Sequence, residues 1–401
     1  MTPWQTWYAV AVFVFTWLLI ANRQLRWIPL GRAAGALLGA VLMTAGGVLT
    51  PDEAFAAVDP RTIALLLGMM LIVALLAEAK LLELAAARLL SAARTPRGAL
   101  ATTSIASGVL AAVLVNDTVC LFATPVVIAA CRRASLPLAP FLMAVATSSN
   151  VGSLATLVGN PQLMLIGSQS GIPFGRWFAV MAPTSAVLLA LNTAFLLLAY
   201  GRALPKTFAD AHADAPAVAV ERGRATAALV VVVGVFVAFF ADASMPWAAL
   251  AGAVALLWLR GRDPAPTFAA VDWKLLVFFG GLFIVTKAID RTGLSAELMG
   301  RLHDTPAYVP WLAVGSNLFS NVPMVLLAAP HLGAQAGDPA AAERGWFVLG
   351  LVTTLAGNLT LIGSAANLIV AEQADLSFKT YLKFGAPSAA ATIALGLWML
   401  G

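Results

Sequence analysis

Two matching polar islands, each set in long apolar sequence, limit what this chain can fold into. The first is Val115-Asn116-Asp117-Thr118, then Ser148-Ser149-Asn150-Val151-Gly152-Ser153 and Thr156-Leu157-Val158-Gly159-Asn160-Pro161. The second is Ser320-Asn321-Val322-Pro323, then Thr353-Thr354-Leu355-Ala356-Gly357-Asn358 and Thr360-Leu361-Ile362-Gly363-Ser364. Asn116 stands nine residues before Pro125, and Asn321 nine before Pro330. With 61% hydrophobic and only 11% charged residues, these islands fall at membrane depth. Lipid offers freed backbone groups no partner there, so amides, hydroxyls and glycines need a reason. A doubled pattern points to two structural repeats around a central transport site.

The expected fold is an all-α polytopic membrane protein with no separate soluble domain. Ten spans are expected, at 5–21, 33–49, 62–79, 141–166, 177–200, 225–241, 245–260, 273–289, 346–371 and 385–400. Met1 to Ala21 lacks a basic start and a cleavage site, and reads as the first span rather than a signal peptide. Basic residues at 23–32, 88–97, 132–133, 202–224, 260–262 and 379–383 mark one face, against Asp52, Glu53 and Asp242 on the other. The positive-inside rule then puts the N-terminus outside and the 201–224 loop in the cytoplasm. Segments 100–131 and 307–331 break in the middle, and each arm is too short for a hydrocarbon core of about 30 Å. They read as re-entrant helical hairpins. Five crossings and one hairpin per half invert the second half relative to the first. The expected division is a first repeat at 1–203, a linker at 204–224 and a second repeat at 225–401. Gly68 pairs with Gly280 and Glu78 with Asp290, and amphipathic connectors follow at 80–96 and 292–304.

Glycines at 152, 159, 357 and 363 are expected to unwind the 141–166 and 346–371 helices near their centres. Unwound helices expose carbonyls from one arm and N–H groups from the other. Asp117 is the sharpest candidate, the one carboxylate within either hairpin or broken helix. It can carry a proton or sodium, since burial and a bound cation push its affinity in opposite directions. Capping of the returning helix by Asp117 or Thr118 is the structural alternative. Asn116 and Asn321 are paired by the repeat, and solute contact and capping explain them equally well. Ser149, Asn150, Ser153, Thr156 and Asn160 face the same two explanations, as do Thr354, Asn358, Thr360 and Ser364. Cys120 and Cys131 are eleven residues apart, about 16 Å along one helix, so they cannot jointly chelate a thiophilic ion.

Val115-Asn116-Asp117-Thr118, Ser149-Asn150-Val151-Gly152, Gly159-Asn160-Pro161-Gln162 and the run from Gly357 to Gly363 resemble the ion transporter superfamily, in its arsenite permease and sodium/proton antiporter branch. The resemblance spans nearly the whole chain. It implies inverted repeats, hairpin-tip contacts at Asn116 and Asn321, broken-helix contacts at Ser149, Asn150 and Thr354, and an elevator-like motion; many members are homodimers. The chain departs from it in two places. Antiporter relatives carry Gly-Asp-Pro-Pro-Asn where this chain has Gly159-Asn160-Pro161-Gln162-Leu163. Dicarboxylate relatives carry Ser-Asn-Thr at both tips. These departures count against sodium coupling and dicarboxylate transport.

The resulting expectation is a secondary active transporter of the cytoplasmic membrane that exports a small inorganic solute such as arsenite or antimonite against protons. Anion permeation and sodium/proton exchange are the alternatives, and a passive channel is disfavoured by hairpins entering from opposite faces. The net charge of +5 is spread over topology-setting loops, so nucleic acid is not a partner. No cofactor is expected. Neither a His-Glu-x-x-His motif nor a Gly-x-Ser-x-Gly elbow occurs, which argues against an enzyme.

Overall fold

Small residues decide how the helices cross. A Cβ added at Gly68 would lie 2.8 Å from the Ala249 backbone, and one at Gly281 would lie 2.6 Å from that of Ala36. Such close approaches bring helices together where lipid supplies no hydrophobic drive. They belong to a computed structural model that describes residues 1–21, 31–81, 84, 93–208, 222–302, 305–334, 338–374 and 376–401. Among the described residues there are nineteen α-helices, one 3-10 turn and no strand.

The first half contains α1 (Pro3–Ala21), α2 (Arg32–Ala45), α3 (Pro51–Ala57), α4 (Pro60–Glu78), α5 (Pro96–Val113), α6 (Asn116–Arg133), α7 (Leu138–Ser153), α8 (Pro161–Gln169) and α9 (Phe174–Tyr200). The second contains α10 (Arg222–Phe240), α11 (Met245–Arg260), α12 (Ala265–Ala269), α13 (Trp273–Arg291), α14 (Leu294–Leu302), α15 (Tyr308–Phe319), α16 (Asn321–Ala334), α17 (Pro339–Ala356), α18 (Ala365–Ala374) and α19 (Phe378–Met399). Among the described residues, the second half repeats the order and relative lengths of the first, with α14 facing a stretch of the first half outside them. Most of the 80–96 connector and residues 209–221 of the expected linker lie outside the described residues.

The halves interlock through equivalent contacts. Helix α2 packs along α13, and its counterpart α11 along α4. Helix α18 packs on α6, and its counterpart α8 on α16. The contacts also correct the register read from sequence. Ala36 and Ala249 are 213 residues apart, as are Gly68 and Gly281. Gly68 therefore corresponds to Gly281 and Glu78 to Arg291, one residue beyond the sequence pairing. Gly280 has open space around its α-carbon. The two residues that this register pairs each hold an ion pair, Glu78 with Arg260 at 2.8 Å and Arg291 with Glu53, though the partners themselves are not equivalent positions.

Among the described residues, four helices are long and apolar enough to cross a membrane unaided: Pro3–Ile20, Pro60–Glu78, Phe174–Tyr200 and Gly223–Phe240. Helices α2 and α11 have 14 and 16 residues. They therefore reach about 21–24 Å, short of a full hydrocarbon core. The expected 33–49 span ends at Ala45 because Gly46 and Gly47 turn the chain, Gly47 with a φ of +67°.

Candidate functional site

Each hairpin reverses over one or two residues. Leu114 and Val115 are extended between α5 and α6. Ser320 alone turns α15 into α16, with a φ of 87° in the left-handed region that serine rarely adopts. Pro323 falls in the first turn of α16, where its missing N–H costs no helical bond. The broken helices open at Leu154–Asn160 and Gly357–Ser364. Asn160 starts α8 by accepting from Leu163 N at 2.8 Å. The N-cap position of α6 is Val115, which has no side-chain bond to give, and the Asn116 side chain accepts from Asp117 N at 2.9 Å instead.

Amides then tie the four breaks together. The Asn116 backbone N donates to Gly159 O at 2.9 Å, and its Nδ2 donates to Asn150 Oδ1 at 2.8 Å. Asn150 Nδ2 crosses into the second half, donating to Asn358 Oδ1 at 2.7 Å and Asn367 Oδ1 at 3.1 Å. Ser364 Oγ donates back to Asn150 Oδ1 at 3.2 Å. Asn160 Nδ2 donates to Ser153 Oγ at 2.8 Å and to Thr354 Oγ1 at 3.3 Å. Ser149 Oγ donates to Ala146 O and lies 3.1 Å from Cys120 Sγ. Thr156 Oγ1 donates to Ala112 O at 2.6 Å, while its counterpart Thr360 donates to Asn317 Oδ1 at 2.8 Å. Asn321 departs from this pattern. It is 7% exposed, and its Oδ1 has no hydrogen-bond partner.

A cavity of about 1880 Å³ opens between α4, α13, α6 and α18. Arg32, Glu78, Asp272, Lys274 and Glu372 stand around its mouth, and its inner wall carries Asp117, Thr118, Asn317 and Ser320. Both hairpin tips thus reach one water-accessible space. Of the thirteen candidate residues, Asp117 and Thr118 line it. Asn116, Ser149, Asn150, Ser153, Thr156, Asn160, Asn321, Thr354, Asn358 and Ser364 are buried behind the wall, and Thr360 is half-buried. Sequence reasoning missed Asn317, Ser320 and Asn367. The signal for Asn317 and Asn367 was an amide within one turn of a break. Asn192 was missed as well: it binds Thr147 Oγ1 and Ser148 Oγ from the middle of α9, where a lone amide in an apolar helix was the cue. Cys120 and Cys131 are both buried, free thiols on α6.

Comparison with known proteins decides the family. Residues 11–351 match the family described as CitMHS, citrate transporter. The chain belongs to this family. The silicon efflux transporter LSI3 of Oryza sativa subsp. japonica is a relative at 32% identity, covering 98% of this chain and 97% of its own. A Dictyostelium discoideum protein named for the transporter arsB is 27% identical over 96% of this chain and 90% of its own. The YdaH transporter of Alcanivorax borkumensis, whose crystal structure has an unusual topology, aligns with a TM-score of 0.57 at 16% identity, covering 99% of this chain and 96% of its own. That likeness establishes a common fold. The family member described here is accordingly a multi-pass membrane transporter, with two pseudo-equivalent halves meeting at a polar centre.

Proposed function

We propose that this transporter exports a small, neutral, hydroxylated inorganic solute, such as arsenite, antimonite or silicic acid, from the cytoplasm in exchange for protons. Asp117 carries the proton. The observation behind this reading is the inner wall of the cavity, where one hairpin presents the Asp117 carboxylate and the Thr118 hydroxyl and the other the Asn317 amide and the Ser320 hydroxyl. Among the described residues, the lysine and arginine that line the cavity, Lys274 and Arg32, belong to the first turns of α13 and α2 rather than to the hairpin tips. A polyvalent anion such as citrate would meet the Asp117 carboxylate on that wall. Helix N-termini can hold anions, but Asp117 lies in the first turn of α6 and supplies that negative charge itself. A neutral hydroxylated molecule requires donors and acceptors alone, and the wall offers both.

The two hairpins are re-entrant in this reading, and the mouth lined by Arg32 faces the cytoplasm, as the positive-inside rule requires. The hairpins, broken helices, α9 and α19 move as a unit against α1–α4 and α10–α13. The silicon efflux relative and the arsB-named relative support a solute of this class. The test is proton flux in proteoliposomes carrying an internal pH dye, with arsenite, antimonite, silicic acid, citrate and sodium added in turn. A response to the hydroxylated solutes is expected. Asp117→Asn should abolish proton movement while leaving solute flux down its own gradient. A response to citrate alone, or unchanged proton dependence in Asp117→Asn, would overturn the reading.

A further inference from the structure

The two halves differ where α4 meets α8. Helix α8 packs on α4, and the Thr62 and Ser168 hydroxyls share a hydrogen bond. Thr62 Oγ1 also bonds Asp59 Oδ2 at 2.6 Å, and Thr62 is fully buried. This contact seals the end of the molecule opposite the cavity mouth. Among the described residues the equivalent helices, α13 and α18, have no comparable packing; they form two sides of the open mouth instead.

The corrected register identifies the counterpart of the sealed contact. A shift of 213 residues takes Asp59 to Asp272 and Thr62 to Leu275, and both aspartates cap their helices, at Arg61 N and Leu275 N respectively. In the broken helices Gly159 crowds Ser153 as Gly363 crowds Gly357, a shift of 204 residues that takes Ser168 to Glu372. Asp272, Lys274, Leu275 and Glu372 all line the mouth. Lys274 and Glu372 are exposed, and neither has an ion-pair partner among the described residues.

We infer that Glu372 on α18 docks against the first turn of α13 in the opposite-facing state and pairs there with Lys274, closing the mouth. This rests on the alternating-access reading above. Exchanging the roles of the two halves breaks the Thr62–Ser168 contact and brings Glu372 to the N-terminal turn of α13. Helix N–H groups and the Lys274 ammonium both favour a carboxylate at that position. Asp272 is already engaged as the cap of its own helix, so Lys274 is the group that answers the incoming charge. The transporter thus has a neutral hydroxyl latch at one end and a charged latch at the other.

Cysteine pairs test this directly, with the buried Cys120 and Cys131 left in place. In proteoliposomes, Thr62→Cys/Ser168→Cys should cross-link under mild oxidant and arrest transport in the conformation described here. Leu275→Cys/Glu372→Cys should also cross-link. In a variant carrying all four cysteines, forming the first bridge should prevent the second. Charge variants provide a second readout that needs no cysteine. Lys274→Glu should slow turnover about threefold, the scale of one exposed ion pair, and adding Glu372→Lys should restore it. If the Thr62 pair does not cross-link, the sealed contact and the inference drawn from it are wrong. If transport persists but the Leu275 pair never cross-links and the charge swap fails to rescue, the docking assignment is wrong and alternating access stands. If the Leu275 pair cross-links in protein that moves no hydroxylated solute, the latch stands and the proposed substrate falls.

Discussion

Replacing Asn150 with alanine tests whether the two halves are braced through this one amide. Its side chain makes four bonds, accepting from Asn116 and Ser364 and donating to Asn358 and Asn367. Of the four partner atoms, Asn358 Oδ1 alone keeps a further contact among the described residues, at 3.5 Å from the Tyr381 hydroxyl. Inter-helix side-chain bonds in membrane proteins average about 0.6 kcal/mol, so four come to about 2 kcal/mol. Counted instead as three orphaned buried groups at about 1 kcal/mol each, the loss is about 3 kcal/mol. Asn150→Ala should therefore cost about 2–4 kcal/mol and lower the melting temperature in detergent by about 3 °C or more. A thiol-reactive dye makes a suitable probe, because Cys120 and Cys131 are buried and Cys120 lies on Val145 and Ser149 beside the network. Thr118→Ala, on the cavity wall, is the control and should melt within about 1 °C of the parent. If Asn150→Ala melts with that control, the bonds between the halves contribute nothing and the brace is refuted.

Other substitutions probe separate parts of the fold. A Cβ at Gly152 would sit 2.0 Å from Gly108 O, so Gly152→Ala should cost more than about 3 kcal/mol and abolish monodisperse protein in size-exclusion chromatography. Gly281→Ala meets the Ala36 backbone and should cost about 1–3 kcal/mol, whereas Gly280→Ala meets open space and should melt like the parent; the reverse order would undo the corrected register. At the surface, the Thr50 N–H and then Arg291 hold the Glu53 carboxyl below the usual glutamate range. A depressed value means that its contribution is present at neutral pH and lost as the pH falls through the folded value. Arg291→Ala should move the Glu53 titration, followed by carboxylate infrared bands, upward toward the ordinary range; an unmoved titration would show that the pair exerts no pull.

The doubled islands identify where helices break because glycine, proline and amide residues are costly in lipid and so concentrate where backbone is freed. Asn116, Asn160 and Gly159 all lie at such breaks. Which amides face the cavity is not legible in the same way. An asparagine that holds a solute and one that holds another asparagine have the same composition and spacing, and Asn150 and Asn358 belong to the second kind. Asn367 escaped notice because its value lies in a partner more than two hundred residues away. Register between repeats was misread by one residue because Gly280 and Gly281 are adjacent, and only the approach of Ala36 distinguishes them.

The brace also sets a timetable. Asn150 must wait for Asn358, 208 residues further along the chain. At a synthesis rate of about 5–20 residues per second, that interval lasts about 10–40 s. Throughout it, α7 resides in the membrane with the Asn150 side-chain N–H donors lacking the acceptors they have in the finished fold. The first half is therefore a long-lived, incompletely bonded intermediate during biogenesis. Pausing translation between the halves should leave it open to quality-control proteolysis, and resuming synthesis should close that window when α17 and α18 arrive.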